Sequence, residues 1–295
     1  MTTKIAWCDE TVNVVTGCTP VSAGCANCYA AGVAKRFWGE RKFSDVQMHP
    51  ERLGLGRLFR LRKPRRIFLN SMGDLFHDDV AEEFIFQTWN AMRALNRHQF
   101  IILTKRPERM KDVITHLSWM SDPEGAGRGY MAYQGIPGSQ VLPNVWLGVT
   151  AENQAMADER IPILLETPAA VRFVSVEPQL EAVELKPEWF YDECPDGCGC
   201  RMPEEADWLD CACGGLCQHE QWLDYEPKIS WIIVGAESGP KRRPFDLDWA
   251  RSLRDQCQAA QVPFFLKQIH DENGKVVHMP ELDGKVYAEF PEVQL

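Results

Sequence analysis

Short apolar runs of strand length recur along the chain: Ile67-Phe68-Leu69, Phe100 to Leu103, Val145 to Val149, Val171 to Val176, Trp231 to Val234 and Pro263 to Leu266. Each is continuous in apolar character rather than alternating, the pattern of strands covered on both faces. Between them lie amphipathic stretches with apolar residues at helical spacing: Ala81 to Asn96, Arg106 to Leu117, Gln154 to Glu166 and Leu247 to Ala260. In the first, Phe84, Trp89, Met92 and Leu95 share one side. Strand followed by helix, repeated, predicts an α/β fold with a parallel sheet. A short strand around Val12 to Val15 brings the strand count to about seven and favours a partial or full (β/α) barrel over an open doubly wound sheet.

Polar residues follow the C-terminal end of each strand: Asn70 and Asp74, Thr104 and Lys105, Thr150 and Glu152, Glu177, Glu237 and Ser238, then Lys267 and Gln268. In barrels and α/β sheets that edge is where sites form, so the repetition predicts a site there. Two stretches break the rhythm. Ser121 to Val141, rich in Gly and Pro, reads as a long surface loop or lid. Lys186 to Lys228 reads as an insertion with a cysteine cluster of its own. The expected organisation is a cysteine loop and first part of the barrel over 1–185, a cysteine-rich metal-binding insertion over 186–228, and the last part of the same barrel over 229–295.

A chain of 295 residues can bury a substantial core. Its net charge of −10 argues against indiscriminate nucleic-acid binding, which needs basic surface. Charge is uneven, however. Arg52, Arg57, Arg60, Arg62, Lys63, Arg65 and Arg66 cluster, as do Lys241, Arg242 and Arg243, and such patches suit either docking of one nucleic acid or a solvated face. The start lacks a signal-peptide apolar run and no segment reaches membrane-span length, so a cytoplasmic location is expected. The eleven cysteines then read as buried thiols or metal ligands rather than disulfides.

Cys18, Cys25 and Cys28 fall in a loop whose Gly17, Pro20 and Gly24 suit irregular backbone wrapping a ligand. A helix over Ala26 to Trp38 should leave this loop, with Cys28 near its N-terminus, where the dipole favours thiolate. Thiolates select zinc or iron–sulfur clusters. A cubane cluster usually takes four cysteines, so three leave one metal position open for chemistry. The alternative is a structural zinc or ferredoxin-like site with Cys8 or a histidine as fourth ligand; otherwise Cys8 and Cys257 read as buried thiols, and His77 as a structural histidine.

The second cluster, Cys194, Cys198, Cys200, Cys211, Cys213 and Cys217 followed by His219, reads CxxxCxC, ten residues, then CxCxxxC. That spacing points to metal, first to structural zinc, since so few large apolar residues cannot fold on a core of their own, and second to an auxiliary iron–sulfur cluster.

The opening Ile5-Ala6-Trp7, the run Gly17-Cys18, Ser22, Gly24-Cys25 and Cys28-Tyr29-Ala30, and the segments Leu69 to Phe76, Leu103 to Pro107, Leu147 to Asn153, Ser175 to Pro178 and Val234 to Pro240 together resemble the phage-associated three-cysteine-motif family (DUF5131). That family is itself similar to radical S-adenosylmethionine (SAM) enzymes, although six residues separate the first two cysteines here where the usual signature has three. The resemblance implies a partial barrel of the radical-SAM type, a [4Fe-4S] cluster on Cys18, Cys25 and Cys28, SAM on its open iron, and a one-electron reductant. Reductive cleavage would give a 5′-deoxyadenosyl radical. The implied cofactor-binding residues are Ser71, Met72, Gly73, Asp74, Thr104, Glu152 and Ser238, with Lys105, Glu177 and Glu237 as candidate catalytic groups. Thr104, Lys105 and Arg106 suit a carboxylate or phosphate. The implied activity is isomerase or lyase chemistry on a nucleobase in phage DNA, such as a hypermodified thymidine or amino-acid adduct. The alternatives are a DNA-lesion or nucleotide radical enzyme, or a non-enzymatic metal-binding module associated with nucleic acid.

Overall fold

The computed structural model describes residues 3, 5–53, 56–119, 141–191 and 228–292. Cys194, Cys198, Cys200, Cys211, Cys213, Cys217 and His219 lie outside the described residues, as does nearly all of the Ser121 to Val141 stretch. In chain order the strands are β1 (Glu10–Val12), β2 (Val15–Thr16), β3 (Gln47–Met48), β4 (Arg66–Leu69), β5 (Gln99–Thr104), β6 (Val145–Thr150), β7 (Val171–Val176), β8 (Trp231–Gly235), β9 (Phe264–His270), β10 (Val276–His278), β11 (Glu281–Leu282) and β12 (Lys285–Val286). The helices are α1 (Tyr29–Phe37), α2 (Pro50–Leu53), α3 (Gly56–Arg60), α4 (Glu82–Ala94), α5 (Pro107–Trp119), α6 (Gln154–Glu166) and α7 (Leu247–Ala259). No helix among the described residues is long and apolar enough to cross a membrane.

One sheet runs in the order β1-β4-β5-β6-β7-β8-β9-β10. β1 through β9 in that order pair in parallel, and β10 turns back antiparallel on β9. With β1 and β10 as separate edges the sheet curls into a half-barrel, so of the two expected forms the partial barrel is the one adopted. β7 and β8 are neighbours although 192–227 lies between them in sequence.

Successive residues of a strand face opposite sides, and the two sides have different cores. Ile67, Leu69, Phe100, Ile102, Val145, Leu147, Ile232 and Val234 join Phe84, Ile85, Trp89 and Met92 of α4 in the larger, outer cluster. Phe68, Ile101, Trp146, Phe173, Trp231, Ile233 and Phe265 form a separate inner cluster, closed by Trp7 and Cys8 from the N-terminal segment. Trp231 is its centre, with ring centroids 5.9 Å from Trp146, 5.7 Å from Phe173, 6.0 Å from Phe265 and 6.3 Å from Trp7. Gly148 makes room for this packing, because a Cβ there would lie 2.4 Å from the Phe173 ring. Gly148→Ala is therefore expected to cost about 1–3 kcal/mol through overpacking. An unchanged urea midpoint would show that the inner floor is loosely filled.

Following the inner face two residues at a time toward the strand ends, apolar gives way to polar: Leu103 to Lys105, Gly148 to Thr150, Phe173 to Ser175 to Glu177, Ile233 to Gly235 to Glu237, Phe265 to Lys267. The period of two that builds the aromatic floor thus also aims these polar side chains into the space above it.

Candidate active site

The cysteine loop begins where β2 ends. Gly17 has φ +96°, and a Cβ there would lie 2.7 Å from the Asp45 carbonyl oxygen, so only glycine lets the chain turn here. Its N–H donates to the Met72 carbonyl at 2.9 Å, and Gly17 bridges Gly73 in parallel, joining the loop to the Ser71–Asp74 segment. Asn13 Oδ1 fixes that segment by accepting from Met72 N at 2.8 Å and Ser71 Oγ at 3.2 Å. Cys25 closes a one-turn 3-10 helix, Ala23–Cys25, and Cys28 is the N-cap of α1, which starts three residues later than Ala26. All three thiols are free and line one cleft with Ser71, Gly73, Asp74, Thr104, Lys105 and Arg106.

Three strand-end carboxylates hold this loop. After β4, Asp74 accepts from Thr104 Oγ1 at 2.8 and 2.9 Å and pairs with Arg106 Nη1 at 3.2 Å. Arg106 in turn reaches Cys18 Sγ at 3.5 Å and Thr19 Oγ1 at 2.9 Å. After β6, Glu152 accepts from Gly24 N at 2.9 Å and from Arg160 Nη1 at 3.1 Å, both side chains being buried, at 0% and 2% exposure. Burial opposes the Glu152 charge, but Lys105, Ser22, Gly24 and Arg160 outweigh it and hold its carboxyl below the ordinary range. After β8, Glu237 accepts from Asn27 Nδ2 at 3.0 Å and Arg243 N at 2.8 Å, and its other oxygen pairs with Arg243 Nη2. Burial again opposes the charge, and the Arg243 hydrogen bonds overcome it, lowering the Glu237 pKa. Arg243 also donates to the Ala23 carbonyl at 3.1 Å.

Beside the thiols the cleft opens into a second chamber lined by Lys105, Thr150, Ser175, Glu177, Glu237, Ser238 and Lys267. Cys28, Tyr29, Phe68, Leu103, Lys105 and Thr150 border both parts, which makes the two continuous. Glu177 Oε1 pairs with Lys267 Nζ at 2.9 Å. Lys105 has no ion pair within hydrogen-bonding distance among the described residues, unlike Arg106 and Lys267, and its charge acts on Glu152 from farther away, so its N–H donors are open to the cleft.

Most of the sequence-predicted residues that the structure describes line one cleft, while Glu152 and Met72 line neither part of it. Ser71, Gly73, Asp74 and Thr104 line the thiol part, while Met72 contributes through its backbone. Glu177, Glu237, Lys105 and Ser238 line the second part. Both Glu152 oxygens are already engaged, with Gly24 and Arg160. His77 is buried and shares a 2.8 Å hydrogen bond with Thr19, so it pins the loop. Cys8 lies in the inner core, where burial pushes its thiol up to about 12 and keeps it protonated at neutral pH. No three His, Cys, Asp or Glu side chains among the described residues close around a single ion. A cubane cluster makes a different demand, because it takes each sulfur on a separate iron. The three free thiols that line this cleft are soft donors of the kind such a group takes.

Arg160, Arg243, Asn27, Asn13 and Lys267 were not singled out as site residues by sequence. Lys267 was marked by its place at a strand end and Arg243 only as part of the basic cluster Lys241 to Arg243; Arg160 comes from a helix, and Asn27 and Asn13 from loops. The basic stretch is split by the fold. Arg66 opens β4 at its N-terminal end, pairs with Asp9 at 3.9 Å and covers the Phe290 ring at 3.7 Å, so it sits at the opposite edge of the sheet from the cleft. Arg52 donates to the Asn13 carbonyl at 2.7 Å.

No curated protein matches the chain. Among solved structures, spore photoproduct lyase complexed with dinucleoside spore photoproduct is similar with a TM-score of 0.40 and 9% identity, covering 82% of this chain and 59% of that one. This chain thus spans less than two thirds of that protein's length. The model of the family described as "Protein of unknown function (DUF5131)" matches residues 2–291, and the chain belongs to that family.

Proposed function

We propose that this protein is a radical SAM iron–sulfur enzyme of isomerase or lyase type, acting on a nucleobase of phage DNA such as a hypermodified thymidine or its amino-acid adduct. The observation that carries this reading is the continuity of the cleft: three free thiols form one part, and strand-end acids, amides and lysines form the adjoining part. Cys18, Cys25 and Cys28 would hold the cluster, and Ser71, Gly73, Asp74 and Thr104 would face SAM. Such a cofactor pair, when bound and given one electron, supplies an organic radical able to take an unactivated hydrogen.

The chain's own groups do the rest. The aromatic floor excludes water from below. Lys105, between the two chambers, orients an anionic group, and the Glu177–Lys267 pair holds a proton at Oε1 or Nζ for a substrate amine or hydroxyl. Support for a nucleic-acid substrate comes from α1, which is capped by Cys28. It buries only Ala30 and Ala34, and it exposes Tyr29 (49%) and Phe37 (71%) beside the exposed Lys35 and Arg36. Exposed rings and cations of this kind suit stacking on bases and neutralising phosphates.

The test is anaerobic reconstitution with iron and sulfide, then dithionite and SAM. The expected products are methionine and 5′-deoxyadenosine. Iron-free protein, or iron-loaded protein that leaves SAM intact, would remove the proposal. Because Lys105 makes no ion pair within hydrogen-bonding distance among the described residues and supports the Glu152 carboxylate only through its charge, Lys105→Met should lower the melting temperature modestly while lowering substrate turnover at least about 100-fold, as loss of a charge-stabilising group does. Turnover within twofold of wild type would exclude Lys105 from the reaction.

A further inference from the structure

Among the described residues, the Arg106 side chain hydrogen-bonds both to the cysteine loop and to the Asp74 carboxylate. It is almost fully buried. Its Nη1 lies 3.5 Å from Cys18 Sγ and 3.2 Å from Asp74 Oδ2, and its Nη2 donates to the Thr19 carbonyl at 3.1 Å and to Thr19 Oγ1 at 2.9 Å. Its backbone N–H donates to Thr104 Oγ1 at 3.0 Å, and that same hydroxyl donates to Asp74. The guanidinium is thus fixed from four directions, with a hydrogen-bond donor aimed at one sulfur.

A guanidinium cannot lose its proton in a protein, so this donor and its charge are permanent. Reducing an iron–sulfur group adds one negative charge to it. A donor at a ligand sulfur, and a positive charge behind it, stabilise the reduced form more than the oxidised one, most effectively where water is excluded. Asp74 works in the opposite sense, because its carboxylate offsets part of the Arg106 charge at 3.2 Å.

We propose that Arg106 is a positioning residue that sets the reduction potential of an iron–sulfur group on Cys18, Cys25 and Cys28 through its N–H···S bond to Cys18, with Asp74 as the counterweight. The inference rests on reading those thiols as cluster ligands. One electron enters the cluster from a one-electron donor, which is oxidised by one electron; Arg106 changes the position of that equilibrium and transfers nothing itself.

The experiment is a redox titration, without SAM, of anaerobically reconstituted wild type, R106Q, R106K and D74N, followed by low-temperature electron paramagnetic resonance, with iron measured in each. R106Q should shift the reduction equilibrium about tenfold toward the oxidised form, or roughly 59 mV for a one-electron couple. R106K should recover part of that shift, since it restores charge without the fork. D74N should move the potential the other way, toward easier reduction. Opposite signs are the decisive feature, because mere loosening of the loop would displace both variants in one direction. Equal potentials in wild type and R106Q, or shifts of the same sign in R106Q and D74N, would overturn the inference and leave the cluster reading standing. Iron-free wild type would overturn both.

Discussion

Replacing Cys18, Cys25 or Cys28 singly by alanine is expected to abolish SAM cleavage and most iron retention, while leaving the melting temperature of the metal-free protein within about 2 °C of wild type. The reason is burial. These thiols are half-exposed on a cleft wall and add little to the core, so their removal forfeits ligation and little packing. Cys257 and Cys8 give the opposite result. Both are buried in apolar surroundings that push their pKa values up, so Cys257→Ala and Cys8→Ala should retain iron and lose on the order of 1–3 kcal/mol of stability. Iron analysis and thermal melts on the five variants decide the matter. Loss of iron from Cys8→Ala would instead favour a fully enclosed, ferredoxin-like site.

Glu152→Ala should be among the most damaging single changes. It would leave the Arg160 guanidinium buried without its counter-charge, at a cost of about 3–5 kcal/mol. It would also release the Gly24 N–H between the first two cysteines. The melting temperature should fall by on the order of 10 °C. Adding Arg160→Met should restore much of the stability, since both charges are then gone, but should leave iron uptake impaired because Gly24 has still lost its acceptor. Full recovery of both would mean that Glu152 serves the fold alone.

Acid should have a related effect. The Glu152 carboxyl titrates below its unfolded value of about 4.3, so its contribution is complete above that pH and is lost as pH falls through the lower folded value. In Glu152→Gln this acid-side loss should shrink. Unchanged acid denaturation would remove Glu152 from the linkage.

Much of the architecture can be read along the chain because each strand–helix unit is local. The α6 limits, Gln154 and Glu166, coincide with the predicted ones, and Asn153 caps the helix by accepting from Met156 N at 2.9 Å. The antiparallel β10 was not anticipated, since its Val276-Val277 pair is too short an apolar run to mark a strand. The pairing of β2 with β3 was equally hidden, because each strand is only two residues long and they lie about thirty residues apart, outside the main sheet.

The site divides in the same way. Which residues face the cleft was legible, because side-chain alternation carries the strand pattern past its end. What each acid does was not, since their partners are set by tertiary contact: Arg160 reaches Glu152 from the following helix, and Arg243 reaches Glu237 from a loop. Charge composition alone also gave no hint that Arg66 enters β4 from the edge opposite the cleft.

Because Arg106, Gly24 and Asn27 are all anchored to strand ends, protein contacts hold the ribbon between β2 and α1 at several points. Under the proposed function, assembly of the cluster would resemble filling a mould. Reconstituted protein bleached by oxygen is then expected to regain its colour once ferrous iron and sulfide return, with no refolding step in between.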